Sequence, residues 1–264
     1  MLYQKSAPPA TRATSATHAG ATVSASASVG MKGAARDGAT PSPSLDLAER
    51  RAVGPFEIPL TSTRKVFYAA APEPSRRRLI ANLHGVCNPP GYACGYWTHA
   101  ASERGFLVCP EGNTTCGAGG PPSWDESFAE MDRDLERAID AVDGATGGAL
   151  AREGAILTGF SRGAWAAPAI AAMHPGRWRY LILNEADVTL TRAGLEAAGV
   201  EAVVLMAGEW GTQLAGERAT VERLQREGVR AKLIVMPKAG HYYSANIDAL
   251  MGEAMDFVTR GEGA

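Results

Sequence analysis

From Pro55 onward, short apolar runs alternate with segments of helical periodicity, and this alternation constrains the fold more than any other feature of the chain. The spacing predicts strands at Phe56–Leu60, Lys65–Ala70, Leu79–Leu83, Phe106–Cys109, Ala155–Thr158, Tyr180–Leu183, Ala202–Met206 and Lys232–Met236. Between them it predicts helices at Tyr96–Arg104, Trp124–Val142, from Gly163 to Met173, at Arg192–Ala198 and Glu217–Glu227, and a closing helix at Asn246–Arg260. Ser123 followed three residues later by Glu126 reads as the capping box of the second helix. Strands alternating with helices imply right-handed crossovers and a parallel sheet covered on both faces. The first two strands have no helix between them and should pair antiparallel at one edge. The expected fold is therefore α/β: a three-layer α/β/α sandwich around a mostly parallel eight-stranded sheet. About 20 residues separate the Tyr180–Leu183 and Ala202–Met206 strands, which leaves no room for a large lid there.

Composition divides the chain in two. Of residues 1–44, 31 are Ala, Ser, Thr, Gly or Pro, and the segment carries a charge of +3 against −2 for the whole chain. Such a stretch buries too little apolar surface to offset its ordering entropy, so residues 1–44 are expected to be a disordered tail and 45–264 a single domain. The tail lacks the continuous apolar run of a secretory signal peptide. The remaining residues carry a charge of −5, which argues against a nucleic-acid partner, whose binding surface would be basic. No run of 18 apolar residues suits a membrane span.

The sharpest chemical signal is Gly159-Phe160-Ser161-Arg162-Gly163. Two glycines around a serine are a weak pattern alone. Here a strand leads directly into it and an Ala-rich helix leads out. Such a turn lifts the serine above the sheet edge, beside helix N–H groups that favour developing negative charge. These residues, with Leu83-His84-Gly85 after the third strand and Gly240-His241 after the last, resemble the α/β-hydrolase superfamily of serine hydrolases. The resemblance covers about residues 53–260. Cys109-Pro110-Glu111-Gly112 and Ser123-Trp124 are similar to the polyhydroxyalkanoate depolymerase-like and feruloyl esterase-like group within it.

The resemblance implies that Ser161 is the nucleophile and His241 its general base, because a hydroxyl is barely nucleophilic unaided. It also implies oxyanion donors at the backbone N–H groups of Val86 and Arg162. The orienting acid is less plain. The family's acid usually ends a G-x-x-D loop after the next-to-last strand, but here that loop reads Gly208-Glu209-Trp210-Gly211. Glu209 is the expected acid, Asp187 the alternative, with Glu185 or a dyad lacking the acid behind them. The implied activity is carboxylic-ester hydrolysis through an acyl-enzyme on small-molecule or polymer-end esters, with no metal or organic cofactor. The alternatives are a catalytically silent binding protein of the same fold, or a lyase or acyltransferase using the same triad. Tyr92, Trp97, Trp124, Trp210, Tyr242 and Tyr243 fall near strand ends and are candidates for a substrate pocket, about half of them being ordinary packing.

Cys87, Cys94, Cys109 and Cys116 all fall within 30 residues. The expected pairing is Cys87–Cys94 with Cys109–Cys116, each closing an eight-residue loop worth about 2.5 kcal/mol. The crossed pairing, Cys87–Cys109 with Cys94–Cys116, stands as the alternative. A zinc site lacks its usual C-x2-C spacing, and free thiols are the third reading. Disulfides would place the protein in an oxidising, extracytoplasmic compartment.

Overall fold

The structure, a computed structural model, describes residues 54–261 apart from Pro74, Glu126 and the side chain of Tyr92. The expected tail lies outside the described residues.

Ten strands and seven helices occur among the described residues. The strands are β1 (Phe56–Pro59), β2 (Lys65–Ala69), β3 (Arg78–Leu83), β4 (Phe106–Pro110), β5 (Thr114–Thr115), β6 (Pro122–Ser123), β7 (Ala151–Phe160), β8 (Trp178–Asn184), β9 (Ala202–Gly208) and β10 (Arg230–Met236). The helices are α1 (Pro90–Gly95), α2 (Thr98–Ser102), α3 (Phe128–Ala145), α4 (Arg162–Met173), α5 (Arg192–Ala198), α6 (Leu214–Arg226) and α7 (Ile247–Thr259). Eight strands form one sheet in the order β1-β2-β4-β3-β7-β8-β9-β10. From β4 to β10 all neighbours are parallel, while β2 runs antiparallel to both β1 and β4. The expected sheet is therefore present, with its antiparallel edge.

Alternation along the strands sorts the core into two layers. Leu79, Leu83, Leu157, Leu181, Leu183, Val203 and Leu205 face one side, against Met131, Leu135 and Ile139 of α3, Ile170 of α4 and Leu224 of α6. Ile80, Ile156, Tyr180, Ile182, Val204 and Met206 face the other, against Trp97 beside α2 and Met251, Met255 and Val258 of α7. Between β8 and β9 only the seven-residue α5 intervenes, so no large lid covers the sheet there.

Three local expectations are corrected. The second long helix starts at Phe128, not Trp124: Ser127 is its cap and accepts from the Glu130 N–H, while Ser123 is drawn into the β5–β6 hairpin opposite Thr114. A short helix, α1, occupies Pro90–Gly95, where no helix is expected. The cysteines pair as Cys87–Cys116 and Cys94–Cys109, with Cα–Cα distances of 5.5 and 6.3 Å. Neither the expected nor the crossed pairing forms. Helix α1 carries Cys94 back across the sheet edge onto the end of β4, beside Cys109, which leaves Cys87 facing Cys116. All four thiols are consumed, which removes the zinc and free-thiol readings. No helix among the described residues is long and apolar enough to cross a membrane.

Candidate active site

The C-terminal ends of the parallel strands converge on Ser161. It follows β7 directly and adopts φ 52° and ψ −114°, a conformation that L-residues rarely occupy. The flanking glycines make this turn possible. A Cβ on Gly159 would come within 2.4 Å of the Gly163 carbonyl carbon, and one on Gly163 within 1.9 Å of the Leu83 oxygen. Helix α4 can thus press against β3 and β7, and its N-terminus points at the serine. Strand β8 holds the turn from beneath: the Ser161 N–H donates to the Asn184 carbonyl at 2.9 Å, and Asn184 Nδ2 donates to the Gly159 carbonyl at 3.2 Å.

His241 lies in the loop after β10, with Nε2 3.0 Å from Ser161 Oγ. Its Nδ1 lies 3.3 Å from Glu185 Oε2. The carboxylate that meets the histidine is thus neither Glu209 nor Asp187. Glu209 is exposed and turned away, its Oε2 accepting from the Lys238 N–H at 2.9 Å. Asp187 lies over Gly216 at the start of α6, where a Cβ would stand 2.0 Å from Oδ2. Glu185, at the end of β8, is held at φ 56°; its N–H donates to the Met206 carbonyl at 2.9 Å, and its Oε1 accepts from the Gly208 N–H. Its carboxylate fills the space that a side chain at position 211 would need: a Cβ on Gly211 would stand 3.1 Å from Glu185 Oε2. The glycine at position 211 and the Glu185 carboxylate beside it are one arrangement. Burial pushes the Glu185 carboxyl upward, opposed by the Gly208 N–H and by His241.

Behind this acid sits Glu217 of α6, fully buried. Its Oε1 accepts from the Ala186 N–H at 2.9 Å, which ties down the loop that carries Glu185. Burial raises its pKa to about 8, with Glu185 and Asp187 adding to the rise and the Ala186 N–H opposing it.

His84 does not face the serine. It is buried, its Nδ1 lies 2.7 Å from the Gly85 oxygen and its Nε2 3.0 Å from the Glu111 oxygen, while Trp124 Nε1 donates to its carbonyl at 2.9 Å. Burial lowers its pKa to about 4, opposed by the two carbonyl contacts, and the ring braces the segment from Gly85 to Val86. That segment flanks the serine: a Cβ on Gly85 would stand 3.3 Å from Ser161 Cβ. Arg162 is the first residue of α4, where a backbone N–H has no partner in its own helix. Its guanidinium turns aside, over Phe128 at 4.9 Å and onto the Asp125 carbonyl at 3.1 Å.

A cavity of about 440 Å³ opens beside His241, walled by Tyr96, Phe160, Tyr242 and Tyr243, with Asn88 and Ser244 on its rim. Of the aromatic candidates, Tyr242 and Tyr243 line it. Trp97 and Trp124 are buried packing, and Trp210 is exposed outside it. Tyr96 and Phe160 are additions that the sequence reading lacked. Phe160 follows from its place beside Ser161; Tyr96 depends on the unforeseen helix α1.

Neither a protein-family model nor a curated protein sequence matches the chain. Solved structures do. The chain is similar to TT1662 from Thermus thermophilus (18% identity, TM-score 0.56, covering 81% of this chain and 100% of that one). It is similar to FphF, a fluorophosphonate-binding serine hydrolase of Staphylococcus aureus (13%, 0.54, 78% and 97%). It is similar, too, to the feruloyl esterase module of Clostridium thermocellum complexed with sinapinate (12%, 0.56, 76% and 85%).

Proposed function

We propose that this chain, which has the α/β-hydrolase fold, is a carboxylic-ester hydrolase working through an acyl-enzyme on Ser161. The observation that carries this reading is the relay from Ser161 Oγ to His241 Nε2 at 3.0 Å and from Nδ1 to Glu185 at 3.3 Å. Ser161 Oγ attacks the ester carbonyl carbon as its proton passes to His241 Nε2. The tetrahedral oxyanion faces the backbone N–H groups of Val86 and Arg162. Collapse of the intermediate breaks the bond to the alkoxy oxygen, which takes the proton from Nε2 and leaves as the alcohol. Water then attacks the acyl-enzyme, giving a proton to His241 that returns to Ser161 as the carboxylic acid departs. Throughout, Glu185 accepts from Nδ1–H, fixes the tautomer and stabilises the imidazolium.

The silent-binder reading drew its weight from the glycine at position 211. Glu185 meets His241 from the neighbouring strand, which favours the catalytic reading over the silent one. The similarity to esterases and to a serine hydrolase supports the same conclusion. The two disulfides support an oxidising, extracytoplasmic setting. The test is hydrolysis of p-nitrophenyl acetate by the parent and by Ser161→Ala and His241→Ala. The reading requires turnover by the parent and losses of about 10³-fold or more in both variants. Turnover that survives Ser161→Ala would overturn it.

A further inference from the structure

The cavity beside the relay has chemistry of its own. Its position relative to the reacting atoms decides which part of a substrate it can hold. His241 Nε2 hands its proton to the departing alkoxy oxygen, so that oxygen must come within hydrogen-bonding distance of the imidazole. The acyl carbon, in contrast, is bonded to Ser161 Oγ, with its oxygen toward Val86 and Arg162. His241 lines the cavity, whereas Ser161, Val86 and Arg162 do not. The space therefore continues from the alcohol side of the scissile bond.

Its walls specify what fits. Tyr96 and Tyr243 meet edge to face with centroids 5.9 Å apart, and Phe160 meets Tyr243 at 4.9 Å. Tyr96 and Tyr242 are 55% and 54% exposed, so large ring surfaces stand in water at the mouth. The Tyr243 hydroxyl is buried away from solvent, so this side chain offers the cavity only its ring. No Asp, Glu, Lys or Arg lines the cavity among the described residues. Such walls suit a flat, uncharged ring, which gains edge and face contacts from tyrosine and phenylalanine. A volume of about 440 Å³ lies within the range of small-molecule sites. The wall that carries Asn88 and Tyr96 is also covalently fixed, since Cys87 and Cys94 within it are bonded to Cys116 and Cys109. A preformed wall spares the ordering that a loose loop would need on binding.

We infer that the preferred substrates are esters of uncharged alcohols bearing an aromatic ring, the ring being held in the Tyr96–Phe160–Tyr243 cavity on the leaving-group side. This rests on the esterase reading above. The test compares two isomeric esters with unconjugated carbonyls, benzyl propionate (ring on the alcohol) and ethyl phenylacetate (ring on the acyl group), with ethyl acetate as a ringless reference. The expected kcat/KM for benzyl propionate exceeds that for ethyl phenylacetate by about tenfold or more. Tyr96→Ala should cut that ratio by about tenfold, and Tyr96→Phe, which keeps the ring, should preserve it. Equal or reversed rates for the two isomers in the parent protein overturn the inference, whether or not Tyr96→Ala folds. A ratio unmoved by Tyr96→Ala overturns it too. Ethyl acetate separates the two levels of the argument. Its turnover without a ring-position preference refutes only this inference, whereas no turnover of any of the three esters refutes the esterase reading and this inference with it.

Discussion

Glu217 offers a quantitative test of how the acid loop is built. Its carboxyl is fully buried, accepts one hydrogen bond from Ala186, and leaves Oε2 without a partner among the described residues. Its pKa is raised from 4.5 to about 8, mainly by burial. At pH 7 the folded protein therefore keeps a proton that the unfolded chain releases. The folded state binds more protons, so stability falls as pH rises through this window. Below pH 4.5 both states are protonated and the cost vanishes; above about 8 both are ionised and the cost is complete. At pH 7 the unfolded carboxyl is about 2.5 pH units past its titration, which at about 1.4 kcal/mol per unit amounts to about 3 kcal/mol. Glu217→Gln keeps the shape and the acceptor for the Ala186 N–H but has no proton to lose. Unfolding in urea at pH 4, 7 and 9, with disulfides intact, measures the difference. The variant should match the parent within about 0.5 kcal/mol at pH 4, exceed it by about 3 kcal/mol at pH 7, and gain little beyond pH 8. A variant less stable by the same amount at every pH would refute the reasoning, since the carboxyl would then carry no burial cost.

Glu185→Gln keeps the length of the side chain but removes the charge that stabilises the imidazolium. It should lower kcat by about 10²–10⁴-fold, whereas Glu209→Gln and Asp187→Asn should stay within about twofold, all read from ester hydrolysis. Gly163→Ala would drive a Cβ to 1.9 Å from the Leu83 oxygen, so it should destabilise by more than about 3 kcal/mol in the same urea assay and abolish turnover. Removing the Cys94–Cys109 bond with a double Cys→Ala change should destabilise by about 3 kcal/mol, the loop entropy of its 15-residue separation. It should also raise KM for ring-bearing esters more than it lowers kcat, which steady-state kinetics will separate.

How far the sequence reaches depends on the range of each interaction. The strands show because each is a local apolar run, and the turn at Gly159–Gly163 shows because strand, glycines and helix are contiguous in the chain. Ser161 is legible for that reason, and His241 through the likeness carried by Gly240-His241 after the last strand. The acid is not. Which carboxylate meets His241 depends on whether the end of β8 or of β9 faces the last loop, and that is a property of the assembled sheet. Gly211 was the available clue: a position with no side chain beside His241 leaves a space that another strand must fill. The cysteine pairing failed for a related reason. Loop-closure entropy favours near neighbours weakly, and the geometry of α1 overrode it by placing Cys94 against β4. The missed helix also hid Tyr96. Ser123 looked like a cap because its spacing to Glu126 fits, yet pairing with Thr114 drew it into a hairpin and left Ser127 to do the capping.

The central claim is that Ser161 is a nucleophile activated by His241. Incubation with a fluorophosphonate, followed by intact-mass measurement and peptide mapping, tests it most directly. One phosphonyl adduct is expected, located on Ser161, formed at a rate that falls by about 10³-fold in His241→Ala and absent in Ser161→Ala. An adduct on another residue, or labelling of Ser161 at the same rate without His241, would contradict it.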